Sequence, residues 1–269
     1  MIDAKTVWAD LEKIRQSSPL VHNITNYVVM NSTANALLAI GASPVMAHAE
    51  EETAEMTALA SALVVNIGTL STPWVAGMER AVRAARDAKK PYVLDPVGAG
   101  ATAFRTDTVH RLLGLGPPTV LRGNASEIMS VHTSEGSTRG VDSTEQSDSA
   151  LEAGRALARQ YGCPVSISGA TDYVVSGGET IAISNGHPLM GRVTGLGCTA
   201  SALTGAFLAV DPSPMDAAAT AMAVMGICGE IAAEKSEGPG SLQMHLLDAF
   251  HNLDEKQVAN RLKVGHETR

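Results

Sequence analysis

The chain has 269 residues, with 20 Lys and Arg against 28 Asp and Glu, a formal charge of −8 and a pI near 5.5. That balance leaves no basic stripe to displace counterions from a phosphate backbone, so nucleic acid is not an expected partner. Apolar residues make up 45% and aromatics only 3%, a composition suited to Ala- and Val-rich helices on a mostly parallel sheet rather than to an aromatic-rich sandwich.

From the N-terminus, "MIDAKTVWADLEKIRQSS" spaces Val7, Leu11 and Ile14 as an amphipathic helix would and lacks the apolar core of a signal peptide. Six short apolar runs follow, "SPLVHNIT", "SPVMA", "LVVNIG", "PYVLDPV", "PTVLRGN" and "CPVSISG", each closed by a polar or turn residue as buried strands are. Helical patterns lie between them, among them residues 31–40, 74–89 and 147–161, and the acidic run 50–52 reads as the solvated first turn of another. The alternation implies right-handed crossovers, a mostly parallel sheet and helices on both faces.

Beyond residue 169 the rhythm changes. "DYVVSGGETIAISNG" reads as a hairpin across Gly177 and Gly178. Helices only are expected after it: one opening at Cys198, one over residues 214–235, and one after "GPGS". The apolar stretch 217–229 lies between Asp216 and Glu230 and is shorter than the roughly 20 residues of a membrane span. No linker separates two cores, so a single domain over residues 1–269 is expected. The three cysteines have no CxxC spacing, which argues against a disulfide framework or a zinc site and for a reducing, cytoplasmic setting.

Ligands of such sheets bind at the carboxyl ends of the strands. Position alone therefore nominates Asn23, Met46, Asn66, Gly68, Asp95, Arg122, Asn124 and Ser168. Asp95, in "LDPVGAG", can hold Mg²⁺ through hard oxygens, or with Pro96 simply begin a turn. In "RGNASE", Asn124 and Glu127 have the spacing of a capping box, which is compatible with ordering metal-bound water, and Arg122 offers a fixed cation to a nucleotide phosphate. The late "VTGLGCTASALTGA" places glycines just before a helix, an anion cradle in a chain without a GxxxxGK[ST] or an early GxGxxG. Cys198 sits at its end, where a helix N-terminus favours a thiolate able to take a proton from a hydroxyl; a covalent nucleophile or a packed thiol are the alternatives. Cys163 and Cys228 read as small buried hydrophobes, and Met215, Met222 and Met225 as core.

Six motifs in order, "VHNITNYVVMN", "GASPVMAHAEEE", "LDPVGAGAT", "LRGNASEI", "SISGATDYV" and "TGLGCTASA", closely resemble those of the hydroxyethylthiazole kinases, a branch of the ribokinase-like superfamily. The resemblance implies a three-layer α/β/α fold without a separate lid domain, and ATP- and Mg²⁺-dependent phosphorylation of 4-methyl-5-(2-hydroxyethyl)thiazole in thiamine salvage. By the same resemblance Met46 and Gly195, with Asn23 and Gly68, would line the thiazole site, and Arg122 and Ser168 would contact ATP. Asp95 and Glu127 would organise magnesium. Gly195, Gly197 and Cys198 would form the anion hole, with Cys198 as base. The family further implies a homotrimer with sites at subunit interfaces. Rival readings are a related kinase for a pyrimidine, vitamin or sugar, a non-catalytic sensor of a thiamine precursor, and a dehydratase or hydrolase on the same fold.

Overall fold

A computed structural model of the chain describes residues 2–133 and 143–268. Nine strands form one sheet: β1 Leu20–Ile24, β2 Ser43–Val45, β3 Ala62–Asn66, β4 Tyr92–Asp95, β5 Val120–Asn124, β6 Val165–Ser168, β7 Asp172–Ser176, β8 Glu179–Ile183 and β9 Val264–Thr268. Their spatial order is β2-β1-β3-β4-β5-β6-β7-β8-β9, parallel from β2 to β6 and antiparallel thereafter. All six expected strands and the hairpin are present.

The helices are α1 Ala4–Ser17, α2 Met30–Ile40, α3 Thr53–Leu59, α4 Thr72–Asp87, α5 Ala103–Leu115, α6 Ala125–Thr133, α7 Ser143–Tyr161, α8 Leu196–Leu208, α9 Pro214–Glu234, α10 Pro239–Asn252 and α11 Glu255–Arg261. They divide between two apolar clusters, one on each face of the sheet, giving a three-layer α/β/α architecture. Side chains of a strand alternate between faces, and the clusters follow that period. Val21, Val64, Val93 and Val120 pack with α8 and α9 around Phe207, whereas Leu63, Val65, Leu94 and Leu121 pack with α4 and α5 around Met78 and Leu112. The same parity sends Asn66, Asp95 and Arg122 to the α8 face at the carboxyl edge, which is how the sheet assembles the site.

Four details differ from the sequence expectation. The chain does not end in helices only, because α11 is followed by β9, which adds to the edge of β8. "VGHET" has little hydrophobic alternation, so its strand is held by the ladder to β8 rather than by its own pattern. α8 begins at Leu196, two residues before Cys198, with Gly195 as its N-cap at φ 81°. The acidic run 50–52 forms the turn ahead of α3, where Glu50 pairs with Arg80 at 2.7 Å. Finally, α9 as a whole is the one helix, among the described residues, long and apolar enough to cross a membrane; 89% of its most apolar window is buried in this fold.

Candidate active site

The carboxyl edge of the sheet carries a chain of buried polar side chains. Asn66 and Asp95 are register partners on β3 and β4, so their side chains emerge together, and Asn66 Nδ2 donates to Asp95 Oδ2 at 2.7 Å. Ser201 Oγ, one turn into α8, donates to the same oxygen at 2.6 Å. Asn26, in the turn after β1, donates through Nδ2 to Asn66 Oδ1 at 3.0 Å and to Cys198 Sγ at 3.3 Å. Gly68 N–H also donates to Asn66 Oδ1, at 2.9 Å. A Cβ on Gly68 would lie 2.6–2.9 Å from the Asn26 side chain, so only glycine admits Asn26 at this position.

Asp95 is 1% exposed, and its Oδ1 has no hydrogen-bond partner. Burial pushes its carboxyl up to about 6, against the opposing pull of Arg122, Ser201 and Asn66. The Cys198 thiol is pushed up as well, by burial first and then by the charge of Asp95, while the Asn66 and Asn26 amides and Arg122 pull it back. A helix N-terminus considered alone lowers a thiol pKa; here desolvation and the neighbouring carboxylate outweigh that, and the resting sulfur is a thiol.

Glu127 forms the capping box its spacing suggests. Its Oε2 accepts from Asn124 N–H at 2.8 Å, and Asn124 Oδ1 accepts from Glu127 N–H at 2.9 Å. Its second oxygen does more: Oε1 accepts from Gly98 N–H at 3.0 Å, tying the start of α6 to the glycine loop after Asp95. Arg105 fixes that loop from the other side, donating to the carbonyls of Ile67, Val97 and Gly68 at 2.8–2.9 Å.

α8 opens beside this network with no side-chain cap, leaving first-turn N–H groups as free donors. Gly195 is required there twice over, by its left-handed φ and because a Cβ would meet Val29 Cγ1 at 2.4 Å. Gly197 lies against Arg122, whose guanidinium would sit 3.0 Å from an added Cβ. Arg122 is 5% exposed and its Nε is unpaired. On its far side opens a cavity of about 630 Å³, bordered by Arg122, Ser168, Gly195 and Gly197 and floored by Met222 and Met225 of α9, a size suited to a small-molecule ligand. Both methionines are buried, as expected of core residues.

The structure thus brings Gly68, Asp95, Arg122, Gly195, Gly197 and Cys198 to one junction, with Ser168 across the cavity and Glu127 bracing the loop beneath. Asn23 is fully buried and its amide turns back to Val21 O at 3.0 Å; Asn26, three residues on, is the side chain that reaches the sulfur. Met46 lies just beyond β2 on a segment pinned by buried His22, whose Nε2 is 2.7 Å from Ala47 O. Sequence reasoning missed Asn26, Arg105 and Ser201. Asn26 had a usable signal, as the first asparagine past the end of β1, just after Thr25. Ser201 and Arg105 had none, because their partners are distant in sequence.

A model of the hydroxyethylthiazole kinase family matches residues 11–256. This chain belongs to that family. Curated relatives named hydroxyethylthiazole kinase include one from Syntrophus aciditrophicus, 60% identical over 98% of both chains, and one from Leptospira biflexa, 56% identical over 97% of both. The solved structure of a hydroxyethylthiazole kinase protein from Pyrococcus horikoshii OT3 superposes with a TM-score of 0.91 at 46% identity, covering 98% of this chain and 99% of that one. The ribokinase-like fold is shared more widely: pyridoxal kinase from Staphylococcus aureus, in complex with AMP-PCP and pyridoxal, gives a TM-score of 0.65 at 16% identity over 93% of this chain and 98% of that one.

Proposed function

We propose that the whole chain acts as one kinase domain that transfers the terminal phosphoryl group of ATP to the hydroxyl of 4-methyl-5-(2-hydroxyethyl)thiazole, the salvage step of thiamine supply, in the cytoplasm. The observation that carries this reading is the uncapped N-terminus of α8, set between the 630 Å³ cavity on one side and the chain from Asp95 to Cys198 on the other. Family membership supplies the substrate class.

In this reading ATP occupies the cavity, with Arg122 and Ser168 on its phosphates. The first-turn N–H groups of α8, at Gly197 and Cys198 after the Gly195 bend, receive the migrating phosphoryl group. The acceptor lies against Met46, Gly68, Gly195 and the turn that follows Asn23, so that its hydroxyl faces Cys198. Transfer proceeds through a loose transition state in which positioning and charge neutralisation dominate. The thiol first gives its own proton to solvent; the resulting thiolate, stabilised by the Asn26 N–H, takes up the hydroxyl proton as the new oxygen–phosphorus bond forms and the bond to the departing ADP oxygen breaks.

Magnesium fits the donors present. Asp95 Oδ1 is a buried, unpartnered carboxylate oxygen, and hard oxygens suit Mg²⁺, which keeps several waters. No group of three or more acidic, His or Cys side chains among the described residues could hold a metal, so phosphate oxygens and water would have to complete its shell. When bound, the ion neutralises charge on the transferring phosphoryl group; Asp95 would hold it directly and Glu127 would order its water. A homotrimer with sites at subunit interfaces agrees with the exposed Tyr27 and Val28, 64% and 69% accessible, next to Asn26.

The test is an ATP-dependent assay over the thiazole alcohol, a hydroxymethylpyrimidine, pyridoxal and ribose, with mass spectrometry of the product. The expected outcome is a phosphomonoester of the thiazole alcohol formed with the highest kcat/KM. Preference for another acceptor would reassign the substrate, and tight thiazole binding without turnover would make the chain a sensor.

A further inference from the structure

The polarity of the chain that ends on Cys198 is fixed by the backbone. Asn66 Oδ1 accepts from Gly68 N–H, and a main-chain amide can only donate. That locks the Asn66 amide with Oδ1 toward Gly68 and Asn26 and with Nδ2 toward Asp95, so it cannot flip. Asn26 must in turn present hydrogens to Asn66 Oδ1, and the same Nδ2 reaches Cys198 Sγ at 3.3 Å. Asn26 is 5% and Asn66 1% exposed, so water does not compete for either amide. The sulfur therefore always meets a donor from this side, and a thiolate formed by loss of its hydrogen to solvent is hydrogen-bonded from the outset.

We propose that Asn26 and Asn66 are positioning residues for the reaction: a one-way relay anchored on Gly68 N–H and Asp95 that aims an N–H at Cys198 and holds its sulfur as a proton acceptor. This rests on the reading of Cys198 as base. Asn26 acts on the sulfur directly, and Asn66 acts through Asn26 by keeping its amide turned the right way. The other charged groups acting on the sulfur are Asp95 on β4 and Arg122 on β5; neither is altered by substitution at position 26.

The reactivity of the sulfur can be read without turnover. Cys163 and Cys228 are 3% and 0% exposed and Cys198 is intermediate, so iodoacetamide labelling located by peptide mapping reports on Cys198. The labelling rate of the ligand-free protein is measured against pH for the parent and for Asn26→Leu, Asn26→Asp and Asn66→Leu. Loss of a donor to a thiolate raises the pH at which it forms. Asn26→Leu is expected to move the midpoint up by about one pH unit, so that labelling at pH 8 slows up to about tenfold. Asn26→Asp, which sets a carboxylate against the sulfur, is expected to move it at least as far, and Asn66→Leu in the same direction by less. Turnover should follow through kcat, with KM for ATP unchanged. Matching midpoints in the parent and in whichever position-26 variant folds would overturn the relay. Cys198→Ala with undiminished kcat/KM would instead remove Cys198 as base, while the position-26 variants, which keep Cys198, would still show a shifted labelling midpoint.

Discussion

The two sides of the α8 N-terminus are built on opposite plans. Toward β1, β3 and β4 polar side chains meet one another and the Gly68 N–H in a dry interior: Asp95 and Asn66 are each 1% exposed, and Ser201 is fully buried. Toward β5, β6 and α9 lies an open cavity bordered by glycines, methionines and a single buried guanidinium, with Arg122 Nε unpaired. The first plan fixes atoms before any ligand arrives, as preorganised chemistry requires. The second leaves polar capacity unspent, as the nucleotide site proposed for it would require. Substitutions on the first side are therefore expected to appear in kcat, and those on the second in KM for ATP.

The largest expected effect is on the dry side. Asp95→Asn removes the buried charge while keeping an oxygen for Asn66 and Ser201, and turnover at saturating substrate should fall on the order of 10³-fold. Stability should move the other way. Burial favours the protonated carboxyl, so the parent carries no penalty from this group below its ordinary pKa of 3.8, loses stability as the pH rises to about 6, and stays penalised above that. Thermal melts should show Asp95→Asn more stable at pH 8 by roughly 5 °C, with the gain shrinking toward pH 4. A gain independent of pH would show that the buried charge is not its source.

Next comes the hinge between the two sides. Gly195→Ala combines a left-handed φ with a 2.4 Å approach to Val29; about 2 kcal/mol of strain should lower Tm by about 4–8 °C and raise KM for ATP. A variant with parent stability and parent KM would mean that the bend is not held as described. A smaller effect is expected at Glu127, whose carboxylate serves the cap and the glycine loop together. Glu127→Gln should raise the Mg²⁺ concentration for half-maximal activity about 10-fold or more while costing about 1 kcal/mol of stability. A large fall in Tm with unchanged Mg²⁺ dependence would make the residue a helix cap alone.

What the sequence disclosed follows the same division. Strands closed by Asn66, Asp95, Arg122 and Ser168 were legible because a buried parallel strand must end in a polar residue where its loop meets water. Gly195 was legible because a bend before a helix needs glycine, whereas Gly197 falls inside α8, where it lies against Arg122. The dry chain was only half legible. Asn26 stands two residues past the end of β1, and a reading that stops at the first asparagine takes Asn23, which shares the α8 face but lies level with Val64, short of the carboxyl edge. Ser201 and Asp95 are 106 residues apart, and nothing local marks them as partners. The direction of the Cys198 pKa was also beyond reach, since the helix argument is local while burial and the field of Asp95 are properties of the assembled fold. β9 was missed for the same kind of reason, its order coming from the β8 edge.

The central claim is that the phosphoryl group passes at the α8 N-terminus while the Cys198 sulfur takes the acceptor proton. Steady-state kinetics of Cys198→Ala and Cys198→Asp with the thiazole alcohol test it most directly. General-base help is worth about 10² to 10⁴ in rate, so alanine should lower kcat within that range at an unchanged KM for ATP, and aspartate, a base already ionised at neutral pH, should retain or raise turnover. An alanine variant with the kcat/KM of the parent would contradict the account.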